Sequence, residues 1–179
     1  MPMEAPRQVK TAYLAGAMEF ARDGGAGWRR EITEWLAQHL GHRVLDPTHF
    51  EHDQLSEEDK GRLPGLKNGN LPELRRLARR IVLYDLEMLL ERADYVVCYW
   101  TEETQRGCGS AGEITMAAWA GKPVYLLLDY PRERMSTWMA GCTTAIFTDW
   151  NELKESLRRD FIERSRTDGT AYAEPASGR

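Results

Sequence analysis

The sequence lacks the features that would place a chain in a membrane or in a disulfide-rich class. Its longest apolar runs, Tyr95–Trp100 and Pro123–Leu128, are far shorter than the roughly 18 to 20 residues that a membrane-spanning helix needs. The three cysteines, Cys98, Cys108 and Cys142, are odd in number and too widely spaced for a CxxC metal motif. We therefore expect no membrane segment, no disulfide framework and no zinc knuckle.

An excess of basic residues is also missing. The 179 residues include 24 Lys and Arg against 28 Asp and Glu, which gives a formal charge of −4. Such a chain has little attraction for nucleic acid or for anionic membranes, so a small or neutral ligand is the expected partner. The first ten residues, MPMEAPRQVK, lack the apolar stretch of a secretory signal, and this predicts a cytoplasmic location.

Several standard catalytic motifs do not occur, among them GxSxG, HExxH and the GxxxxGK[ST] phosphate loop. The glycines of ARDGGAG, residues 21–27, follow a predicted strand, but their spacing departs from GxGxxG, and Glu19 and Asp23 add negative charge. A flexible turn is favoured there over a phosphate cradle. No metal site or cofactor is expected from the histidines, which have the spacing of a helix end and a loop: His39, His42, His49 and His52.

Periodicity divides the chain into alternating strands and helices. Apolar residues at three- and four-residue spacings predict helices over 28–40, 72–92, 110–120, 134–140 and 149–164. Short apolar or β-branched runs predict strands over 9–15, 43–45, 95–99, 123–128 and 145–147. This alternation predicts an α/β sandwich, in which a parallel sheet of about five strands is covered on both faces, as a single domain over residues 1–164.

Two segments lack this periodicity. Residues 46–71 hold glycines, prolines and mixed charge, which predicts a long inserted loop with at most one short helix over 56–61. Residues 165–179 are small, polar and aperiodic, and disorder in isolation is expected for them.

Two carboxylates stand out as candidates for chemistry, because ligands of parallel α/β sheets bind beyond the carboxyl ends of the strands. Glu113 follows Gly107 and Gly109, which bring backbone close to that edge, and a place in the first turn of a helix would keep it ionised. Most carboxylates at that position are caps without chemistry. Asp85 lies among apolar neighbours, so it is either poorly placed or directed at a site.

Three segments taken together resemble one family. AYLAGAM at 12–18, YDLEMLLERADYVVCYW at 84–100 and GSAGEITMAAWAGKPVYLL at 109–127 are similar to the nucleoside 2-deoxyribosyltransferase superfamily, which includes the 2′-deoxynucleoside 5′-phosphate N-hydrolases. The resemblance covers most of residues 9–147, with 46–71 as an insertion. It implies a flavodoxin-like three-layer sandwich that forms dimers or larger homo-oligomers and cleaves the N-glycosidic bond of deoxynucleosides.

The resemblance also implies roles for individual residues. Glu113 matches the family nucleophile, whose carboxylate forms a covalent deoxyribosyl ester in the manner of retaining glycosidases. Asp85 matches an aspartate that positions substrate and assists departure of the base. Tyr13 matches the tyrosine whose hydroxyl orients the nucleophile, although an ordinary strand tyrosine is the simpler reading of the residue alone.

Further positions are implied as substrate contacts. Gly16 and Met18 match the loop around the sugar and its 5′ group, and Ser136 matches a position that completes the site of a neighbouring subunit. Trp100, on the loop expected after the third strand, is a candidate for stacking on a nucleobase, with a place in the core as the alternative.

The sequence departs from the family at two of these places. Ala17 and Glu19 replace the small hydroxyl residue and the basic residue of the nucleotide hydrolases, and a carboxylate beside a phosphate is unfavourable. A free nucleoside is therefore expected rather than a monophosphate. Gly107 replaces the acidic residue with which the transferases bind the base; the candidates to substitute for it are Glu102, Glu103, Asp46 and His49.

The leading hypothesis is a pentosyltransferase of nucleoside salvage that exchanges the base of a deoxynucleoside, with hydrolysis as a side reaction. A hydrolase of deoxynucleosides or of their 5′-monophosphates is the first alternative. A non-catalytic nucleotide-binding module is the second, and the presence of all three catalytic side chains argues against it.

Overall fold

The computed structural model describes residues 9–163, and for residues 50–53 and 163 it describes the backbone alone. The strands are β1 (Thr11–Gly16), β2 (Arg43–Leu45), β3 (Tyr95–Trp100), β4 (Val124–Leu128) and β5 (Ala145–Phe147). The helices are α1 (Ala26–Leu40), α2 (Pro47–Gln54), α3 (Glu57–Gly69), α4 (Leu71–Glu87), α5 (Glu102–Gly107), α6 (Gly109–Trp119), α7 (Thr137–Gly141) and α8 (Trp150–Arg158). A π-helical turn extends α4 (Met88–Arg92) and another extends α8 (Arg159–Glu163), and a short 3₁₀ turn precedes α7 (Arg132–Arg134).

The five strands form one all-parallel sheet in the order β2-β1-β3-β4-β5. This is the flavodoxin-like order, and it confirms the α/β sandwich expected from the sequence. The strand order reverses between β1 and β3, and crevices for ligands open there in sheets of this class. Within residues 9–163, no helix combines the length and the apolar character needed to cross a membrane.

Alternation along the strands builds a core on each side of the sheet. Tyr13 and Ala15 of β1 face the layer of α4, α6 and α7, whereas Ala12 and Leu14 face the layer of α1 and α8. Both faces are buried, which explains why the strands are nearly continuous apolar runs. Tyr13 is thus placed under α4 and α6, the two helices that carry the candidate carboxylates.

The segment 46–71 is helical, contrary to the long loop predicted from the sequence. Ser56 caps α3 by accepting a hydrogen bond from the Asp59 backbone N–H, and acidic residues fill the first turn of the helix. Gly61 and Pro64 weaken the helical pattern, and no residue of α3 is fully buried. Because α3 has no buried stripe, the sequence carried no periodicity from which to predict it.

The polar stretch after β3 also differs from its expected conformation. Thr101 and Thr104 form a reciprocal capping box that begins helix α5, where the sequence predicted a loop. Strand β3 continues through Trp100, one residue beyond its predicted end. The predicted tail, residues 165–179, lies outside the described part of the chain.

The connection between β1 and α1 depends on a glycine at position 25. Gly25 has φ = +78°, and a Cβ added there would collide with the Ala17 carbonyl oxygen and with Nη1 of Arg29. Gly24 has a similar φ of +64°, but a Cβ there would meet nothing within 4 Å. The two glycines share the same backbone requirement and differ only in how closely they are packed.

We expect Gly25→Ala to destabilise the protein more than Gly24→Ala. The positive φ alone should lower the free energy of unfolding by about 1 kcal/mol in both variants. The collision at Gly25 should add about 1–3 kcal/mol. Denaturant unfolding of both variants measures the difference, and equal losses would contradict the packing described here.

Candidate active site

Tyr13 and Glu113, which are 100 residues apart in the sequence, meet between the sheet and helix α6. The Tyr13 hydroxyl donates a 2.8 Å hydrogen bond to Oε1 of Glu113. Asp85, on α4, lies close enough for its negative charge to raise the pKa of Tyr13. The structure therefore brings together the three side chains for which the sequence suggested catalytic roles.

The environment keeps Tyr13 protonated. Its side chain is fully buried, and burial raises the pKa of the phenol far above its ordinary value, with further contributions from the negative charges of Glu113 and Asp85. A neutral phenol is a hydrogen-bond donor, so Tyr13 can hold one oxygen of Glu113 in place at any pH that the fold tolerates.

Opposing effects act on the pKa of Glu113. Burial of its carboxylate raises its pKa, while hydrogen bonds from Tyr13 and Ser110 and the positive charge of Arg29 oppose the rise. The net direction is upward, which corrects the sequence expectation that a helix dipole keeps this group ionised. Helix α6 begins at Gly109 and has no acidic residue in its first turn, so Glu113 lies beyond the region where the dipole is strong.

A carboxylate with these properties can act as a nucleophile or as a general base. It is oriented by a hydrogen bond, it has lost part of its solvation, and burial raises its pKa. Among the residues described, no group of three or more His, Cys, Asp or Glu side chains is arranged to hold a metal ion.

Two residues of this cluster had not been assigned to it from the sequence. Ser110 lies in the first turn of α6, whose cap position is Cys108, and its buried side chain bonds Glu113. Its position three residues before Glu113 on the same helix was the available signal. No sequence signal pointed to Arg29, because a charged residue in an amphipathic helix is normally exposed.

The loop after β1 is fixed by its contacts with helices α1 and α5. Gly16 packs beneath the Trp28 ring, with 2.7 Å between an added Cβ and Cζ2. The Ala17 N–H donates to Oγ1 of Thr104, and this hydroxyl in turn donates to the Tyr99 carbonyl at the end of β3. Gly16 is thus closely packed at the end of β1, and half-buried Met18 follows one residue after Ala17; contacts of either residue with substrate stay predictions.

Two backbone amides at the glycine-rich start of α1 are already bonded to a carboxylate of the chain itself. The Asp23 carboxylate accepts hydrogen bonds from the backbone N–H groups of Gly25 and Gly27. The carboxylate occupies the place that an anion would take at this helix start. This arrangement favours the turn over the phosphate cradle.

Glu19 pairs with a cation from the inserted helices. Its carboxylate accepts a hydrogen bond from the Lys67 ammonium group on α3, and both side chains are exposed. The insertion therefore contacts the loop expected to surround the sugar, and the negative charge of Glu19 does not stand alone there.

The burial of Trp100 contradicts the expectation that it stacks on a nucleobase. Only 3% of its surface is exposed, and its indole N–H donates a 2.8 Å hydrogen bond to the Tyr130 hydroxyl. The ring belongs to the core on the α4–α6 side. Because β3 runs one residue longer than the sequence indicated, Trp100 points into this core instead of leaving the sheet.

The remaining candidates lie on the surface. Gly107 and Gly109 are exposed, and Gly107 lies beside the Phe20 ring, over which Arg106 stacks at 4.3 Å. Ser136 is exposed and caps α7 by accepting from the Trp138 N–H. Substrate contacts by these residues remain predictions.

A cavity of about 290 Å³ opens at the same edge of the sheet, on the side of α1. Trp28 and Tyr99 line it together with the carboxylates of Asp23, Glu103 and Asp129. Tyr13 faces the opposite layer, so this cavity and the Tyr13–Glu113 pair lie on different sides of the strands.

Comparison with known proteins supports the fold. No protein-family model matches the chain, and no curated protein matches its sequence. Among solved structures, the chain is similar to a 2-deoxyribosyltransferase from the psychrotolerant bacterium Bacillus psychrosaccharolyticus, with 23% identity and a TM-score of 0.55. The match covers 80% of this chain and 90% of that protein. The likeness confirms the expected flavodoxin-like sandwich.

Replacing Glu113 by Gln is expected to raise the melting temperature at pH 8. The pKa of Glu113 is raised in the folded protein, so its ionisation above that pKa opposes folding, and a neutral amide removes this effect. The gain in melting temperature should be about 2–4 °C for each kcal/mol added to the free energy of unfolding. It should shrink as the pH falls through the folded pKa and vanish below the ordinary pKa of Glu.

Thermal melts from pH 4 to pH 8 provide the measurement. Glu31→Gln, on the exposed surface of α1, is the matched control and should change the free energy of unfolding by at most about 0.5 kcal/mol. A Glu113→Gln variant that melts below the wild type at pH 8 would count against the raised pKa.

Proposed function

We propose that this protein belongs to the nucleoside 2-deoxyribosyltransferase superfamily and cleaves the N-glycosidic bond of 2′-deoxynucleosides, transferring the sugar from one nucleobase to another. The single observation that carries the proposal is the hydrogen bond between Tyr13 and Glu113, with Asp85 beside it. Tyr13, Asp85 and Glu113 each come from a different one of the three segments that resemble the family. The similar fold of a solved 2-deoxyribosyltransferase supports the same reaction class.

In the first step, the Glu113 carboxylate attacks the anomeric carbon of the deoxyribose. A bond forms between a carboxylate oxygen and C1′, the bond from C1′ to the base nitrogen breaks, and its electron pair leaves with the base. The departing base takes a proton from water, while the ionised Asp85 assists its departure by stabilising positive charge on the sugar. Tyr13 donates its hydrogen bond to Oε1, which fixes the direction from which Glu113 attacks.

In the second step, the deoxyribosyl ester on Glu113 is opened. A nitrogen of the acceptor base attacks C1′ and releases its proton to water, the ester bond breaks, and the electron pair returns to the Glu113 carboxylate. Water attacking at the same carbon, with loss of one proton to solvent, gives free deoxyribose, which is the hydrolytic side reaction. Two displacements at one carbon retain the configuration of the nucleoside.

The charges of the cluster suit this chemistry. Both transition states place positive charge on the sugar ring, and Glu113 and Asp85 supply negative charge beside it. Partial desolvation strengthens these interactions. The raised pKa of Glu113 predicts that activity falls on the acid side at a pH above the ordinary value for a glutamate, because protonation removes the nucleophile.

One contact favours a second candidate, hydrolysis of deoxynucleoside 5′-monophosphates. The sequence argued against a phosphate because Glu19 lies on the loop expected near the 5′ group. Its pairing with Lys67 offsets that negative charge and brings a cation to the same loop. The monophosphate therefore belongs in the substrate panel beside the free nucleoside.

A second copy of the chain is the proposed protein partner. Trp119 is 87% exposed and Trp138 is 65% exposed; they lie on α6 and α7, in the layer that also carries Glu113. Apolar side chains this exposed are typical of interfaces. An interface there would also bury Ser136, at the start of α7, in keeping with its implied role in a neighbour's site.

Glu113→Gln is expected to lower turnover of deoxynucleosides by at least about 10³-fold, since the amide cannot form the ester. Tyr13→Phe should lower kcat by about 10- to 100-fold, because the carboxylate loses its orienting donor. The assay incubates deoxyadenosine, deoxycytidine or deoxyAMP with and without a second free base and separates the products by chromatography.

The products decide between the candidates. A new nucleoside supports transfer, while deoxyribose or its phosphate alone supports hydrolysis. Absence of turnover across the panel would contradict both activities. Full activity in Glu113→Gln would contradict the covalent mechanism even if the reaction itself were confirmed.

Trp119→Glu is expected to convert a dimer or larger oligomer to monomer. A buried unpaired carboxylate at an interface is strongly unfavourable. Light scattering coupled to size-exclusion chromatography gives the mass. Ala37→Glu, on the exposed face of α1 at the other side of the sheet, is the matched control and should leave the mass unchanged; a monomeric wild type would rule the partner out.

A further inference from the structure

Arg29 is a buried cation in a position where the helix pattern predicts an exposed one. It lies on α1 with none of its surface exposed, whereas its neighbour Arg30 is exposed. Burying a guanidinium group is costly unless its donors are satisfied and its charge is used. The contacts of Arg29 show how the donors are satisfied.

Three backbone carbonyls hold the guanidinium group. Nη2 donates to the Gly16 carbonyl at 2.9 Å, and Nη1 donates to those of Ala17 at 3.1 Å and Gly25 at 2.9 Å. These carbonyls belong to both ends of the connection between β1 and α1. One side chain thus fixes the loop that follows Tyr13, and the absence of a Cβ at Gly25 leaves the space that it needs.

These hydrogen bonds bring no negative charge to the guanidinium group. Carbonyl oxygens are neutral acceptors. Among the described residues, the carboxylate ion-paired with Arg29 is that of Asp46, whose Oδ1 lies 3.4 Å from Nε without forming a hydrogen bond. In a buried site such a charge acts over a longer distance than at the surface.

Arg29 lies near the candidate nucleophile: its guanidinium group binds the Gly16 carbonyl, three residues after Tyr13 on β1, and the Tyr13 hydroxyl bonds Glu113. Arg29 lowers the pKa of Glu113 and opposes the effect of burial. The groups near Glu113 are Tyr13 from β1, the neutral Cys98 thiol from β3 and Ser110 from α6, while Asp85 from α4 acts on the neighbouring Tyr13. Asp46, at the end of β2, acts on Arg29 itself. Arg29 is the cation in this set.

We propose that Arg29 is a positioning residue that fixes the loop after β1 in the shape the sugar requires and holds Glu113 in its carboxylate form. The second role rests on the function proposed for Glu113, whereas the first follows from the three carbonyl contacts. Asp46 partly neutralises the positive charge of the guanidinium group. The charge that is not neutralised stabilises the carboxylate form of Glu113.

The test measures the titration of Glu113 directly, without substrate. In the full chain labelled with ¹³C at the Glu carboxyl carbons, the Glu113 resonance is assigned by its loss in Glu113→Gln. Arg29→Met should move its titration midpoint to higher pH by about one unit or more. Arg29→Lys retains the charge and should restore most of the shift, and the exposed Arg30→Met is the matched control.

Asp46→Asn gives a shift of the opposite sign and covers the case in which Arg29→Met does not fold. Removing the counter-charge leaves the guanidinium group less neutralised, so the Glu113 midpoint should move to lower pH. Loss of structure alone would not move the two variants in opposite directions. An unchanged midpoint in a folded Arg29→Met, or in Asp46→Asn if only that variant folds, overturns the proposal.

The two proposals fail in different ways. If the wild type cleaves no nucleoside but the Glu113 midpoint shifts in Arg29→Met, the enzymatic function is wrong and the electrostatic role of Arg29 stands. If the wild type is active and the acid limb of its kcat/KM profile is the same in Arg29→Met, the enzymatic function stands and the electrostatic role of Arg29 is wrong.

Discussion

Holding a carboxylate between a β-sheet and its covering helices is the constraint on which this site depends. Burial favours the neutral form of Glu113, and an ionised nucleophile needs compensation. Hydrogen bonds from Tyr13 and Ser110 and the charge of Arg29 supply it. Each comes from a different element or turn, so the protonation state of one side chain reflects the packing of the whole edge of the sheet.

The strand order makes this convergence possible. β1 lies next to β3, so the loops after them meet, and Thr104 links the two by bonding both the Ala17 N–H and the Tyr99 carbonyl. Helices α4 and α6 cover the face toward which Tyr13 points. Local sequence does not need to encode the site, because the sheet brings distant segments together.

Periodic patterns in the sequence predicted the sheet and most of the helices, whereas contacts made by single residues were missed. Continuous apolar strands and periodic helices led to the five-stranded sheet, and the segments around Tyr13, Asp85 and Glu113 led to the cluster that the structure assembles. Helix α3 escaped prediction because it buries no stripe, and Trp100 was misplaced by one residue of strand length. Arg29 could not be found, since its burial depends on a glycine four residues earlier and on carbonyls more than ten residues away.

The central place of β1 has a consequence for how the chain reaches this structure. β1 is made first, but one of its neighbours in the sheet, β3, begins about 80 residues later, and the contact between Tyr13 and Glu113 spans 100 residues. Pairing of this kind is slow, since a long stretch of chain must lose conformational freedom before the stabilising contacts form. During synthesis an apolar strand with an unpaired edge is exposed until β3 has left the ribosome, and an edge of this kind is where aggregation would begin.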